Sequence, residues 1–153
     1  MRRAARTSGF SLVQAVVAMA VIVIAGMASV EALILTNQRA AAMRTTNNAR
    51  AIVQRNIDIA LGVPFTTATV PAVLATTSGS GALYDEDGDG DTTVKIVVTR
   101  NGTGSVVNGQ LFRTVIAEAN AASADIRRVT FRLDYNYRRR DYSVSMTTLR
   151  TND

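Results

Sequence analysis

The chain has no cysteine, no histidine and no tryptophan, and only two prolines in 153 residues. Without cysteine no disulfide can staple the fold. Without cysteine or histidine the commonest nucleophile–base pairs and zinc sites are unavailable, so an enzyme is not expected. No repeat of solenoid period recurs. The formal net charge of +5 is also less than it looks, because Arg2, Arg3 and Arg6 supply three of those charges and leave +2 on the remaining side chains. A basic pI is therefore no argument by itself for nucleic acid.

What is present is a long apolar run. From Phe10 to Val30 there is no charge, and the only polar side chains are Ser11, Gln14 and Ser29. About twenty such residues suffice to cross a bilayer core as a helix, the one form in which a single segment satisfies its own backbone in lipid. Arginines precede the run, and the positive-inside rule holds that end in the cytoplasm and sends the C-terminal bulk outward. A secretory signal would need small residues after the run, whereas Ala18-Met19-Ala20 lies within it. An uncut signal anchor is the other plain reading. Beyond the run, Thr36 to Leu61 contains no glycine or proline. Its Ala49, Ile52, Val53, Ile57, Ala60 and Leu61 recur at three- and four-residue spacing, which predicts that the helix continues with one apolar stripe. Arg39, Arg44, Arg50 and Arg55 fall on its polar surface as a solvated face. Gly62 and Pro64 are expected to end it, the glycine as a left-handed cap. A helix from Phe10 to Leu61 would be about 78 Å long.

Arg2, Arg3 and Arg6, then Gly9-Phe10-Ser11-Leu12-Val13-Gln14 opening the apolar helix, resemble the processing site of type IV prepilins and type II secretion pseudoprepilins. The likeness covers Arg2 to about Leu61. It implies cleavage after Gly9 by a prepilin peptidase, methylation of the new N-terminal Phe10, and packing of the helix with other pilin or pseudopilin subunits. The expected location is the bacterial cytoplasmic membrane, single-pass with the domain outside, and then a surface or periplasmic filament. The chain departs from the family at Gln14, where a glutamate is usual. That carboxylate is thought to pair with a neighbour's free amine, and an ion pair is valuable where each charge alone is costly. The departure points to a minor subunit, or else glutamine is simply tolerated.

Val63 to Gly90 reads as a long connection with both prolines and a Ser78-Gly79-Ser80-Gly81 patch. It ends in Asp85-Glu86-Asp87-Gly88-Asp89-Gly90-Asp91. Asp85, Asp87 and Asp89 followed by Gly90 match the first half of an EF-hand loop, with Asp91 beside them as a fourth carboxylate. Position twelve would be Ile96, not a bidentate glutamate, so calcium would need ligands from elsewhere. Calcium, the one cofactor considered, and a solvated acidic turn both remain open. The remainder predicts strands. Thr92 to Arg100 runs into Asn101-Gly102, a hairpin dipeptide, and a second, Asn108-Gly109, precedes Leu111 to Ile116. Val129, Phe131, Leu133, Tyr135 and Tyr137 alternate with polar residues, as do Tyr142, Val144 and Met146, across a turn read at Arg138 to Asp141. Arg127, Arg128 and Arg138 to Arg140 near Tyr135 and Tyr137 have the elements of a phosphate-binding patch, but nucleic acid is not an expected partner, since hairpin arginines also block sheet-edge pairing.

The expected fold is α+β, a long N-terminal helix, transmembrane in its first half, packed on a small antiparallel sheet of about four strands. Its parts are a basic leader over 1–9, a membrane or filament-core helix over 10–35, an amphipathic continuation over 36–61, a connection with the acidic segment over 62–91, and the sheet over 92–153. Function is expected to be structural: a minor pilin or pseudopilin, with a signal-anchored extracellular module binding calcium or nucleic acid as the alternative.

Overall fold

The computed structural model describes residues 12–66, 68–78, 81–100, 103–118 and 125–152. The chain divides into two compact units, Met1–Ala40 and Ala41–Asp153. One helix, α1 (Leu12–Gly62), supplies all that is described of the first and opens the second. The fold is α+β, as the patterning predicts.

In the first unit α1 is apolar on every side from Ala15 to Met27, with charge appearing only at Glu31 and Arg39. Leu12, Val16, Ile22, Met27 and Leu33 are all exposed, and no part of its most apolar 18-residue window is buried. It is the helix long and apolar enough to cross a membrane among the described residues. Its hydroxyls are satisfied internally: Ser29 Oγ donates to Ala25 O and Thr36 Oγ1 to Ala32 O, both at 2.8 Å. Each large side chain here forgoes about 1.5–3 kcal/mol while it faces water, so the segment demands an apolar surrounding.

In the second unit the continuation of α1 is amphipathic. Thr45, Ala49, Val53, Asn56, Ile57 and Ala60 form its buried stripe. Leu61, expected in that stripe, is exposed, since one residue beyond buried Ala60 turns its side chain about 100° around the helix. Gly62 ends the helix without a left-handed φ. Termination falls instead to Val63 N–H, which closes on Ile59 O at 3.2 Å, and to Pro64, which has no N–H to continue.

The sheet has five antiparallel strands: β1 (Ala82–Leu83), β2 (Thr93–Arg100), β3 (Thr103–Glu118), β4 (Ile126–Tyr137) and β5 (Arg140–Thr151). β4 lies between β3 and β5, while β1 and β2 share the far edge of β3. The alternation of β4 turns Val129, Phe131, Leu133 and Tyr135 to the helix, where Ile96, Leu111 and Val115 join them. Tyr84 packs edge-on to Phe131 and Tyr135 stacks on Tyr142, each at 5.4 Å between centroids. The opposite face mixes polar pairs such as Thr130–Thr147 and Asp134–Ser143 with exposed apolar residues, Val97 paired with Val106, Ile116 and Leu149. Phe65, Val73 and Leu74 also enter the core, so the 62–91 connection is less of a free loop than its composition suggests.

Asn108-Gly109 is not a turn. Both residues lie inside β3, and Gly109 is there because a Cβ would meet Leu133 Cδ1 at 3.0 Å and Tyr135 Cβ at 3.2 Å. The β4–β5 turn is shorter than expected: Arg138 and Arg139 alone make it, at φ 52° and 62°. Such a turn suits Asn-Gly, and side chains beyond Cβ strain it. Arg138→Asn with Arg139→Gly is therefore expected to stabilise the domain by about 1–2 kcal/mol, read as a higher Tm. Phe131→Ala, by contrast, is expected to cost about 3–5 kcal/mol in denaturant titration, because the cavity opens at the centre of the core.

Candidate functional site

The acidic segment forms a compact loop between β1 and β2. Gly88 and Gly90 adopt φ of 76° and 87°, which folds the chain back on itself and turns successive carboxylates inward. Asp85 is its organiser: Oδ1 accepts from Gly88 N–H at 2.8 Å and Oδ2 from Gly90 N–H at 2.7 Å. Those donors, Gly90 first, hold the Asp85 carboxyl below the usual aspartate range. Asp87 moves the other way. Crowding within the loop desolvates it, the charge of Asp89 adds to this, and its carboxyl is raised.

Asp85, Asp87 and Asp89 come together, each offering an oxygen within 4.8 Å of the others'. That spread is about twice the 2.3–2.6 Å of a calcium–oxygen bond, so one cation could reach all three. Gly90 stands where an EF-hand loop needs its turning glycine. Asp91 is not part of the group: its Oδ1 accepts from Thr93 N–H at 2.8 Å, capping the start of β2, and that donor lowers its carboxyl. Three carboxylates supply less than the six to eight oxygens calcium takes, so the donor set fits only as part of a shell completed by other oxygens.

The loop is fastened to the domain through Glu86. Its Oε1 accepts from Asn56 Nδ2 at 2.7 Å and from Arg55 Nε at 2.8 Å, and the Arg55 guanidinium closes an ion pair on the same oxygen. Arg55 is held charged above its ordinary range by that contact. This anchor was missed in the sequence, although a signal existed: Asn56 interrupts the stripe between apolar Val53 and Ile57. An amide at a buried position needs partners: Nδ2 donates to Ile52 O and Glu86 Oε1, while Oδ1 has none among the described residues.

The arginines read together in the sequence separate into two kinds. Arg127 lies over Phe65, pairs with Asp125 at 2.8 Å and donates to Leu74 O, so it is a structural clamp. Arg128 pairs with Glu118 at 2.9 Å and Arg132 with Asp134 at 3.1 Å. Arg138, Arg139 and Arg140 remain exposed at the hairpin tip with no ion pair among the described residues, Arg138 lying over the Tyr137 ring. A depression of about 760 Å3 opens on the outer face of the sheet beside Asn108, Gln110, Asp134 and Asp141. Both of its carboxylates are already engaged, Asp134 by Ser143 and Asp141 by Asn136.

Gln14 sits exposed in the first turn of α1. Gly9 and Phe10 lie outside the described residues. No family model, curated protein or solved structure matches the chain.

The opposed carboxyls give a direct test. Asp85, depressed in the fold, contributes stability that is present above its unfolded pKa and is lost as pH falls through its folded value. Asp87, raised, contributes in the opposite sense, below its unfolded pKa, and opposes folding once ionised. A carboxyl-carbon NMR titration is expected to show Asp87 protonating before Asp85 on acidification. The reverse order would contradict the loop geometry.

Proposed function

We propose that this chain is a structural subunit of a bacterial pilin-like filament, a minor pilin or pseudopilin, acting by association and not by catalysis. The observation that carries the reading is α1 itself. It is one helix whose first part exposes apolar side chains on every side and whose second part is amphipathic and closes the core of an antiparallel-sheet domain. The spelling from Gly9 to Gln14 adds the processing step: cleavage after Gly9, methylation of Phe10, and release of the basic leader. In this reading the helix is held first in the cytoplasmic membrane with the domain outside, and then among the helices of other subunits. Small residues such as Ala15, Ala18, Ala25, Gly26 and Ala28 let neighbouring backbones approach closely. Gln14 offers hydrogen bonds where the family usually offers a charge, which suits a minor position. A calcium ion at Asp85, Asp87 and Asp89 would neutralise the loop that Glu86 fastens to α1.

The test is an intact mass and N-terminal sequence of the protein recovered from its native membrane. The expected chain begins at N-methylated Phe10, and a bulky residue in place of Gly9 should leave it uncut. A chain still beginning at Met1 would overturn the filament reading and leave an anchored extracellular module, in which the acidic loop becomes the working part.

A further inference from the structure

Three contacts fix the direction of the sheet against α1 within the second unit. Near Ala41, Thr46 Oγ1 meets Tyr135 Oη at 3.0 Å and Asn48 Nδ2 donates to Val97 O at 2.6 Å. At the other end Arg150 Nη2 reaches Val63 O at 3.3 Å. β5 thus runs the same way as the helix, and the β4–β5 turn lies at the Ala41 end. From Tyr135 to the turn is three to four strand residues, about 10–13 Å. From Thr46 back to Ala41 is about 8 Å of helix. Arg138, Arg139 and Arg140 therefore crown the end of the domain from which the chain leads back to its apolar segment. Only Thr36 to Ala40 intervene between Ala41 and Leu35, and six residue steps span at most about 20 Å in any conformation.

We infer that this arginine turn is a docking surface for the phosphate headgroups of anionic phospholipid, holding the domain down on the bilayer that its own helix enters. The backbone supports a functional reason for the arginines. Two successive non-glycine residues hold positive φ here, whereas the β2–β3 connection between Arg100 and Thr103 is spelled Asn-Gly. Strain retained at a fully exposed turn is explained by what the side chains touch outside the domain. Guanidinium groups suit phosphate oxygens through their forked donors, and their long stems let them reach along an interface.

Nucleic acid fits the same residues less well. The other arginines of β4 do not extend the patch: Arg127 and Arg128 lie at the far end of the strand beside Arg150 and Leu149, and they and Arg132 are each paired with a carboxylate. Tyr135 is buried and stacked on Tyr142, and Tyr137 is covered by Arg138, so stacking platforms for bases are taken. Three cations on one turn match a headgroup layer better than a strand that needs a continuous track of phosphate contacts.

The inference rests on the membrane reading above, and the experiment separates the two. The chain has no cysteine, so single sites can be labelled in the full-length protein: Ser143→Cys near the turn and Thr151→Cys at the far end. The labelled protein is placed in nanodiscs of phosphatidylcholine with or without phosphatidylglycerol, and energy transfer to headgroup-labelled lipid is read. Transfer from the Ser143→Cys site is expected to rise with phosphatidylglycerol, to fall in high salt, and to be lost in Arg138→Asn/Arg139→Gly, each arginine removed weakening the contact about fivefold. The far site should not respond. That double variant relieves strain, so loss of fold cannot account for lost contact, and its Tm verifies this. A protein that co-elutes with the discs but shows no dependence on phosphatidylglycerol, or none on the two arginines, overturns the inference and leaves the membrane reading standing. Protection of the turn by added duplex DNA with no response to anionic lipid overturns it in favour of nucleic acid. A protein that does not enter the discs overturns both.

Discussion

A single helix is asked to satisfy two different surroundings, and the rest of the domain follows from that demand. From Leu12 to Leu35 its large apolar side chains are exposed, and water is a costly neighbour for all of them. From Ala41 onward the same helix shows one apolar stripe, with Ala49, Val53 and Ile57 against the sheet. The hydrophobic effect acts on both stretches, but only the second is answered within the chain. The first calls for an apolar surrounding that the described fold does not supply.

The sheet is shaped by its service to that stripe. β4 carries the cleanest alternation and the deepest core residues, Phe131 and Leu133, and everything else is hung from it through β3 and β5. Close approach at the centre is bought by Gly109, where no side chain would fit between Leu133 and Tyr135. The outer face is knitted in part by hydroxyl, amide and carboxylate pairs and elsewhere exposes apolar side chains such as Val97 and Val106.

Charge is distributed in separate places with separate consequences. The acidic loop sits against α1 at Arg55 and Asn56, satisfied in part by its own backbone and in part by the Glu86 anchor. The arginine turn sits at the Ala41 end of the domain, and the inner arginines, Arg127 and Arg132, lie over Phe65 and Phe112 in carboxylate pairs. The same residue type therefore serves as clamp in one place and as free cation in another. Its neighbours decide which, since a carboxylate within hydrogen-bond reach removes a guanidinium from the available surface.

Periodicity is a local property, and what depended on it was readable directly. The apolar run, the helical stripe after it, the alternation of β4 and β5 and the turning glycines of the acidic loop all follow from residue types at fixed spacing. So did the α+β class, since one long amphipathic helix and a set of alternating strands have few ways to cover each other. Positions whose meaning depends on a distant partner were not readable. Asn108-Gly109 is a turn by composition and a packing vacancy by structure, because Leu133 and Tyr135 arrive from another strand. Asn56 is an anomaly in a stripe until Glu86 reaches it. Arg127 is a basic residue until Asp125, Leu74 and Phe65 enclose it, while Arg138 to Arg140 keep the exposure their sequence suggests. The sequence alone determined which segments must avoid water and with what period. The tertiary structure decided which polar groups are left for other molecules, because desolvation and pairing depend on neighbours far away along the chain.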